Sequence, residues 1–215
     1  MTKKKLRNSA LVFSLILLIW PVFVATSIPE GSMDDQIMAI QNAPLLHILN
    51  FLIAMSIAPA MLIMLKRMYP YLEINPGRNH LSMVIFFYTI YLLLITLSYG
   101  SQVFYFPFII ENYPDPAVEN WFFYHNDSLA ITFNQTGYLS WSIATLLYVI
   151  PSLKKVKGAL LFAVLLFMLS AIIQITASIG LYARIPDLAA LTFYSGLLMF
   201  PAGILVLIFA IKSKK

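Results

Sequence analysis

The stretch that decides the fold is LAITFNQTGYLSWSIATLLY, Leu129 to Tyr148. Its apolar content and length read as a membrane-crossing helix, yet Asn134, Gln135 and Thr136 stand in a row inside it. Two primary amides and a hydroxyl in hydrocarbon are costly unless something bonds to them. The rest of the chain therefore has to supply partners at the same depth.

Composition places the whole chain in the membrane class. It has 215 residues, 60% hydrophobic and 11% charged, with mean hydropathy +0.83, whereas a soluble domain carries about 25% charged residues. Five further apolar runs surround the opening stretch. The expected spans are approximately 10–27, 45–65, 81–106, 128–150, 158–181 and 189–211, which make residues 1–215 a single all-α, polytopic six-helix membrane domain. The first run follows a basic tail and ends in Ala25-Thr26-Ser27, the outline of a signal peptide, but it is longer than the usual h-region and is expected to be a retained helix. Shorter helices are expected in two loops. Ser32 and Asp35 are spaced as a capping box, with Met33, Ile37 and Ile40 on one face suited to the membrane interface. Asp115-Pro116 has the pattern of an N-cap followed by a first-turn proline.

Charge orients the spans. Lys3, Lys4, Lys5, Arg7, Lys66, Arg67, Arg78, Lys154, Lys155, Lys157, Lys212, Lys214 and Lys215 fall on one side, leaving Arg184 as the other side's only cation. Eight of the nine acids lie with Arg184, and only Glu73 does not. The positive-inside rule then puts both termini in the cytoplasm. The net charge of +5 is a topology signal and an anionic-lipid contact, so no nucleic-acid partner is expected. The Lys-rich chain without cysteine suggests a bacterial cytoplasmic membrane. It also excludes disulfides, thiolate metal sites and a cysteine nucleophile.

No Asp, Glu, Lys or Arg falls mid-span, which argues against an ion-coupled pump. At 1.5 Å rise per residue, the uncharged polar residues instead share one level on five helices. His47, Asn50, Tyr99, Gln102, Asn134, Tyr138, Gln174, Tyr194 and Ser195 are the candidate ligand-binding residues. Successive helical residues point about 100° apart, so Asn134, Tyr138 and Trp141 form one stripe, and at least one amide of the triplet must meet a neighbouring helix. The aromatic residues crowding the ends of the 107–127 loop read as a headgroup belt.

Three functions follow from this pattern. The first is a non-enzymatic binding or transport component, or a subunit or regulator of a complex, with an outward-facing polar pocket for an uncharged or lipid-like ligand. The second is a membrane-embedded enzyme, such as a metal-dependent hydrolase using His47, His125 and Asp127, with Glu111 as a further ligand. The third is a structural subunit whose amides only join helices, in a homo- or hetero-oligomer. There is no H-E-x-x-H, no phosphate-binding glycine loop and no soluble domain for a nucleotide. Ser195-Gly196 is similar to the Ser-Gly of intramembrane serine proteases, but Phe193 stands where their first glycine would be. No cofactor is expected, and no residue pattern singles out a family. Arg184 is expected to pair with Asp187.

Overall fold

The computed structural model describes residues 3–27, 30–74, 77–112, 115–125 and 127–212, and the side chains of all of these except 115 and 116. The chain is 89% helix, with no strand among the described residues. In order the helices are α1 (Lys3–Ser27), α2 (Met33–Asn42), α3 (Pro44–Met68), α4 (Arg78–Gly100), α5 (Phe106–Asn112), α6 (Asp115–Trp121), α7 (Leu129–Val149), α8 (Gly158–Tyr182), α9 (Pro186–Ala189) and α10 (Leu191–Lys212). A π-helical turn, Ser101–Tyr105, joins α4 to α5 without a break.

Among the described residues, five helical runs are long and apolar enough to cross a membrane: Lys3–Ser27, Pro44–Tyr71, Arg78–Asn112, Gly158–Tyr182 and Pro186–Lys212. The sixth expected span, α7, has 21 residues but falls short in hydropathy. Its surroundings accommodate this. Twelve of its residues are buried in the protein, so its polar side chains meet other helices more than lipid. The first span also differs from expectation: the helix begins at Lys3, inside the basic tail. Leu6, Ser9 and Ala10 are buried, and the Arg67 guanidinium donates to the Lys5 carbonyl at 2.9 Å.

The six long helices form a closed ring. α1 packs on α3, α3 on α4, α4 on α7, α7 on α8 and α8 on α10, and α10 returns to α1. The contacts that set this order are specific. Gly137 of α7 lets α4 approach so closely that a Cβ there would lie 3.2 Å from Ile95. Ser98 on α4 donates to the Ala130 carbonyl at 2.7 Å. Toward the end of the ring that carries the lysines, here the basic end, large side chains fill the centre. Phe13, Met61, Met64, Leu65, Phe167 and Val206 are all buried. The Tyr148 hydroxyl reaches the Leu65 carbonyl at 2.5 Å, and His80 Nε2 lies 2.9 Å from the Leu147 carbonyl.

The opposite, acidic end is covered by the short helices. The Ser32–Asp35 capping box forms as expected: Ser32 N–H donates to the Asp35 carboxylate at 3.0 Å, and the Asp35 amide donates back to Ser32 Oγ at 3.3 Å. The apolar face of α2 packs against the protein. Met33, Ile37 and Ile40 pack with Phe106, Ile109, Val118 and Phe122 in a small second core. The cap expected from Asp115-Pro116 rests on side chains outside those described.

Candidate functional site

The ring is not filled along its whole length. Between its middle and the acidic end lies a cavity of about 560 Å³ to which all six long helices contribute. That is within the size of ordinary small-molecule sites. Asn50 and Phe51 come from α3, Tyr99 from α4, Asn134, Gln135 and Tyr138 from α7, Gln174 from α8, and Thr192 and Ser195 from α10. α1 adds Leu17, Trp20, Pro21, Val24 and Ala25, and no charged side chain lies in the wall.

Hydrogen bonding divides these residues into two groups. One group is helix-to-helix glue. Gln174 Nε2 donates to Gln135 Oε1 at 3.0 Å, and Gln135 Nε2 reaches Thr192 Oγ1 at 3.5 Å, so one amide pair ties α8, α7 and α10 together. Ser195 and Ser170 exchange hydrogen bonds with each other's carbonyls at 3.0 and 2.8 Å, closing α8 on α10. Thr136 points elsewhere again, to the Tyr182 hydroxyl at 2.6 Å. The triplet therefore diverges as helical geometry requires.

The second group is left over. Asn134 and Asn50 are 3% and 4% exposed. Asn134 Nδ2, Asn50 Oδ1, the Tyr124 hydroxyl and Trp20 Nε1 belong to residues that line the cavity, have no hydrogen-bond partner, and are themselves buried among packed atoms. A buried polar group left unpaired costs about 1–3 kcal/mol, and dry cavities in proteins are normally apolar. A turn of these side chains would bring their polar atoms to an occupant. The Tyr99 and Tyr138 hydroxyls, 3.4 Å apart, complete the polar side of the wall.

The other candidate residues lie off the cavity. Gln102 is fully buried in the π-helical turn. Its Nε2 donates to the Trp121 carbonyl at 2.6 Å, and its Oε1 accepts from the Phe123 amide at 3.4 Å. It thereby holds the segment after α6 so that Phe123 and Tyr124 roof the cavity. Aromatic side chains line the cavity at this end. His47 is boxed by Phe51, Phe106 and Tyr124, ring centres 4.8, 5.9 and 6.4 Å away. Tyr194 is 57% exposed on the outer surface of the bundle, one helical position away from inward-facing Ser195.

The hydrolase constellation is not assembled. Among the described residues no three His, Cys, Asp or Glu side chains come together as a metal site. Asp127 lies 3.6 Å from Arg184 in an exposed ion pair, which also replaces the expected Arg184–Asp187 pair. That pair borders a surface hollow of about 540 Å³, whose wall shares Ile131 and Gln135 with the cavity.

Sequence reasoning missed Tyr124, Trp20 and Phe123 as cavity residues, because aromatic residues near loop ends read equally well as a membrane belt. Trp20 stands one position before Pro21 in α1, and that proline was the available signal. No family, no curated protein and no solved structure matches this chain.

Proposed function

We propose that this chain is a six-span membrane protein, with α7 as the sixth span and both termini cytoplasmic, whose cavity binds an uncharged, lipid-like small molecule. In that orientation the cavity lies in the outer half of the bilayer. A polar span is admissible as α7 because its amides are bonded within the ring or face the cavity. The separation of cations from acids supports the topology. The reading is of a binding or transport component, or the ligand-holding subunit of a larger assembly.

One observation carries it: two asparagines, almost completely buried, line a cavity whose wall bears no charge, and each holds one polar atom without a partner. Gln135 and Gln174, by contrast, are paired with each other. An uncharged wall favours a neutral ligand, since an ion would lose its hydration with nothing to replace it.

Native mass spectrometry of the protein released from a mild detergent tests this. The wild type is expected to carry a neutral molecule at about one per chain. Asn134→Leu is expected to lose most of it while remaining folded. A wild type that emerges empty, or an Asn134→Leu variant that retains the molecule, would count against a site at this position.

A further inference from the structure

We infer that the cavity is loaded sideways from the bilayer, between α1 and α10, by a single-chain neutral amphiphile that enters head first and sets a carbonyl-bearing head on Asn134 and Tyr124. This rests on the pocket reading above and adds the ligand's chemistry and its route.

The route comes from the seam where the first and last long helices close the ring. Toward the basic end the seam is shut: a Cβ on Gly203 would lie 2.9 Å from Phe13 Cδ1 and from Ser14 Oγ. Seven residues earlier on α10, a Cβ on Gly196 would meet nothing within 4 Å. α1 and α10 run antiparallel, so the open stretch pairs Leu17 to Ala25 with Phe193 to Phe200, and both edges line the cavity. Each helix carries a proline near the parting, Pro21 and Pro201, where the lost backbone bond permits a bend. Pro21, Ala25, Phe193 and Leu197 line the cavity and are also exposed on the bundle surface, so they mark a mouth. The surface around it is apolar: Leu18, Ile19 and Val22 are 47–62% exposed. The mouth faces hydrocarbon, whereas Phe123 and Tyr124 cover the acidic end of the cavity.

The head chemistry comes from the distribution of polarity. The mouth is apolar apart from Trp20, and the other residues that hold unpaired polar atoms, Asn50, Tyr124 and Asn134, stand on the far wall, where a turn of the side chain brings those atoms to the cavity. An amphiphile therefore fits with its head inside and its chain lying back through the seam. Asn134 Nδ2 and Trp20 Nε1 can only donate, and the Tyr124 hydroxyl can donate. Asn50 offers its Oδ1, or its amide nitrogen after a half-turn. Donors predominate, so the matching head is rich in acceptors: a quinone ring or an ester carbonyl, without charge.

The test uses the full chain in lipid nanodiscs, with tryptophan quenching by a decyl-substituted benzoquinone. Monodecanoylglycerol serves as a neutral competitor, and decanoate at alkaline pH as its charged counterpart. Wild type is expected to bind both neutral probes and to bind decanoate at least about tenfold more weakly. Asn134→Leu should weaken quinone binding about tenfold, the equivalent of one buried hydrogen bond. Gly196→Phe places a ring in the open seam and should slow loading about tenfold, whereas Leu93→Phe, on the exposed face of α4 and outside the cavity lining, should load as wild type does. Circular dichroism and monodispersity check that each variant is folded. Loading of a folded Gly196→Phe at the wild-type rate would overturn the route, pointing to entry past Gln135. Decanoate binding as tightly as the quinone would overturn the head chemistry. Failure of both neutral probes, while native mass spectrometry still finds a bound molecule, would overturn this inference and leave the pocket standing.

Discussion

Gly196 and Gly203 stand two turns apart on the same helix, and they do opposite things. Gly203 is there because α1 presses against it; Gly196 faces empty space at the mouth of a cavity. The same contrast runs through the whole ring. Its basic end is packed with Phe13, Met61, Met64 and Phe167. At the acidic side of centre, the polar residues outnumber their partners. Ring closure is complete at one end and unfinished at the other, and the unfinished end is where unpaired asparagines are found. The lesson is that small and polar residues in a membrane helix carry no single meaning. What decides is whether the neighbouring helix completes them.

The sharpest way to break this comparison is to fill the closed end. Gly203→Leu forces a side chain against Phe13 and Ser14, and overpacking of this kind costs about 1–3 kcal/mol. Thermal unfolding in detergent should show a clear drop. Gly196→Ala on the same helix should hold or raise stability, by up to about 1 kcal/mol, because it adds no clash and removes glycine's entropic cost. Equal losses at the two positions would erase the distinction between the ends.

The next contrast separates glue from site. Gln174→Leu leaves Gln135 without its donor and should cost about 1 kcal/mol or somewhat more, within the range of intramembrane hydrogen bonds. Asn134→Leu removes an amide whose Nδ2 has no partner in the free protein, so it should cost less stability than Gln174→Leu while binding is lost. A double-mutant cycle between Gln135 and Gln174 should give a coupling of about 0.6 kcal/mol or more, and one between Asn134 and Gln174 should give none. The smallest expected effect lies outside the ring. Hydrogen bonds from the Ser32 side chain and backbone hold the Asp35 carboxyl below its ordinary value. A group whose folded value is depressed contributes stability that is present above its unfolded value and fades as pH falls through the folded one. Acidification below about pH 4 should therefore fray the first turn of α2, visible in the Ser32 and Asp35 amide resonances, while the ring is unaffected.

Much of this was legible in the sequence, and for identifiable reasons. Hydropathy and 1.5 Å per residue place Asn50, Tyr99, Asn134, Gln174 and Ser195 at one level, and all five line the cavity. The divergence of Asn134, Gln135 and Thr136 follows from the 100° step alone. What sequence could not supply was rotation about each helix axis. Tyr194 and Ser195 are adjacent and equally deep, yet only Ser195 faces inward, because α10 turns that face to Ser170. Nor could it show that the loop after α6 folds back to roof the ring, since that depends on the buried amide of Gln102 meeting backbone nineteen and twenty-one residues later. The mouth rests on the absence of atoms at Gly196, which leaves no mark in a sequence.

The measurement that bears most directly on the central claim is the oxygen accessibility of a nitroxide attached at Gly196→Cys, feasible because the chain has no other cysteine. The reference is a second label at lipid-facing Leu93→Cys, a position 59% exposed on α4. The account predicts that lipid-dissolved oxygen reaches the label at 196 readily in the free protein, and that saturating decyl-benzoquinone suppresses this while leaving the label at 93 unchanged. A label at 196 as shielded as the core before any ligand is added, or indifferent to the quinone afterwards, would contradict it.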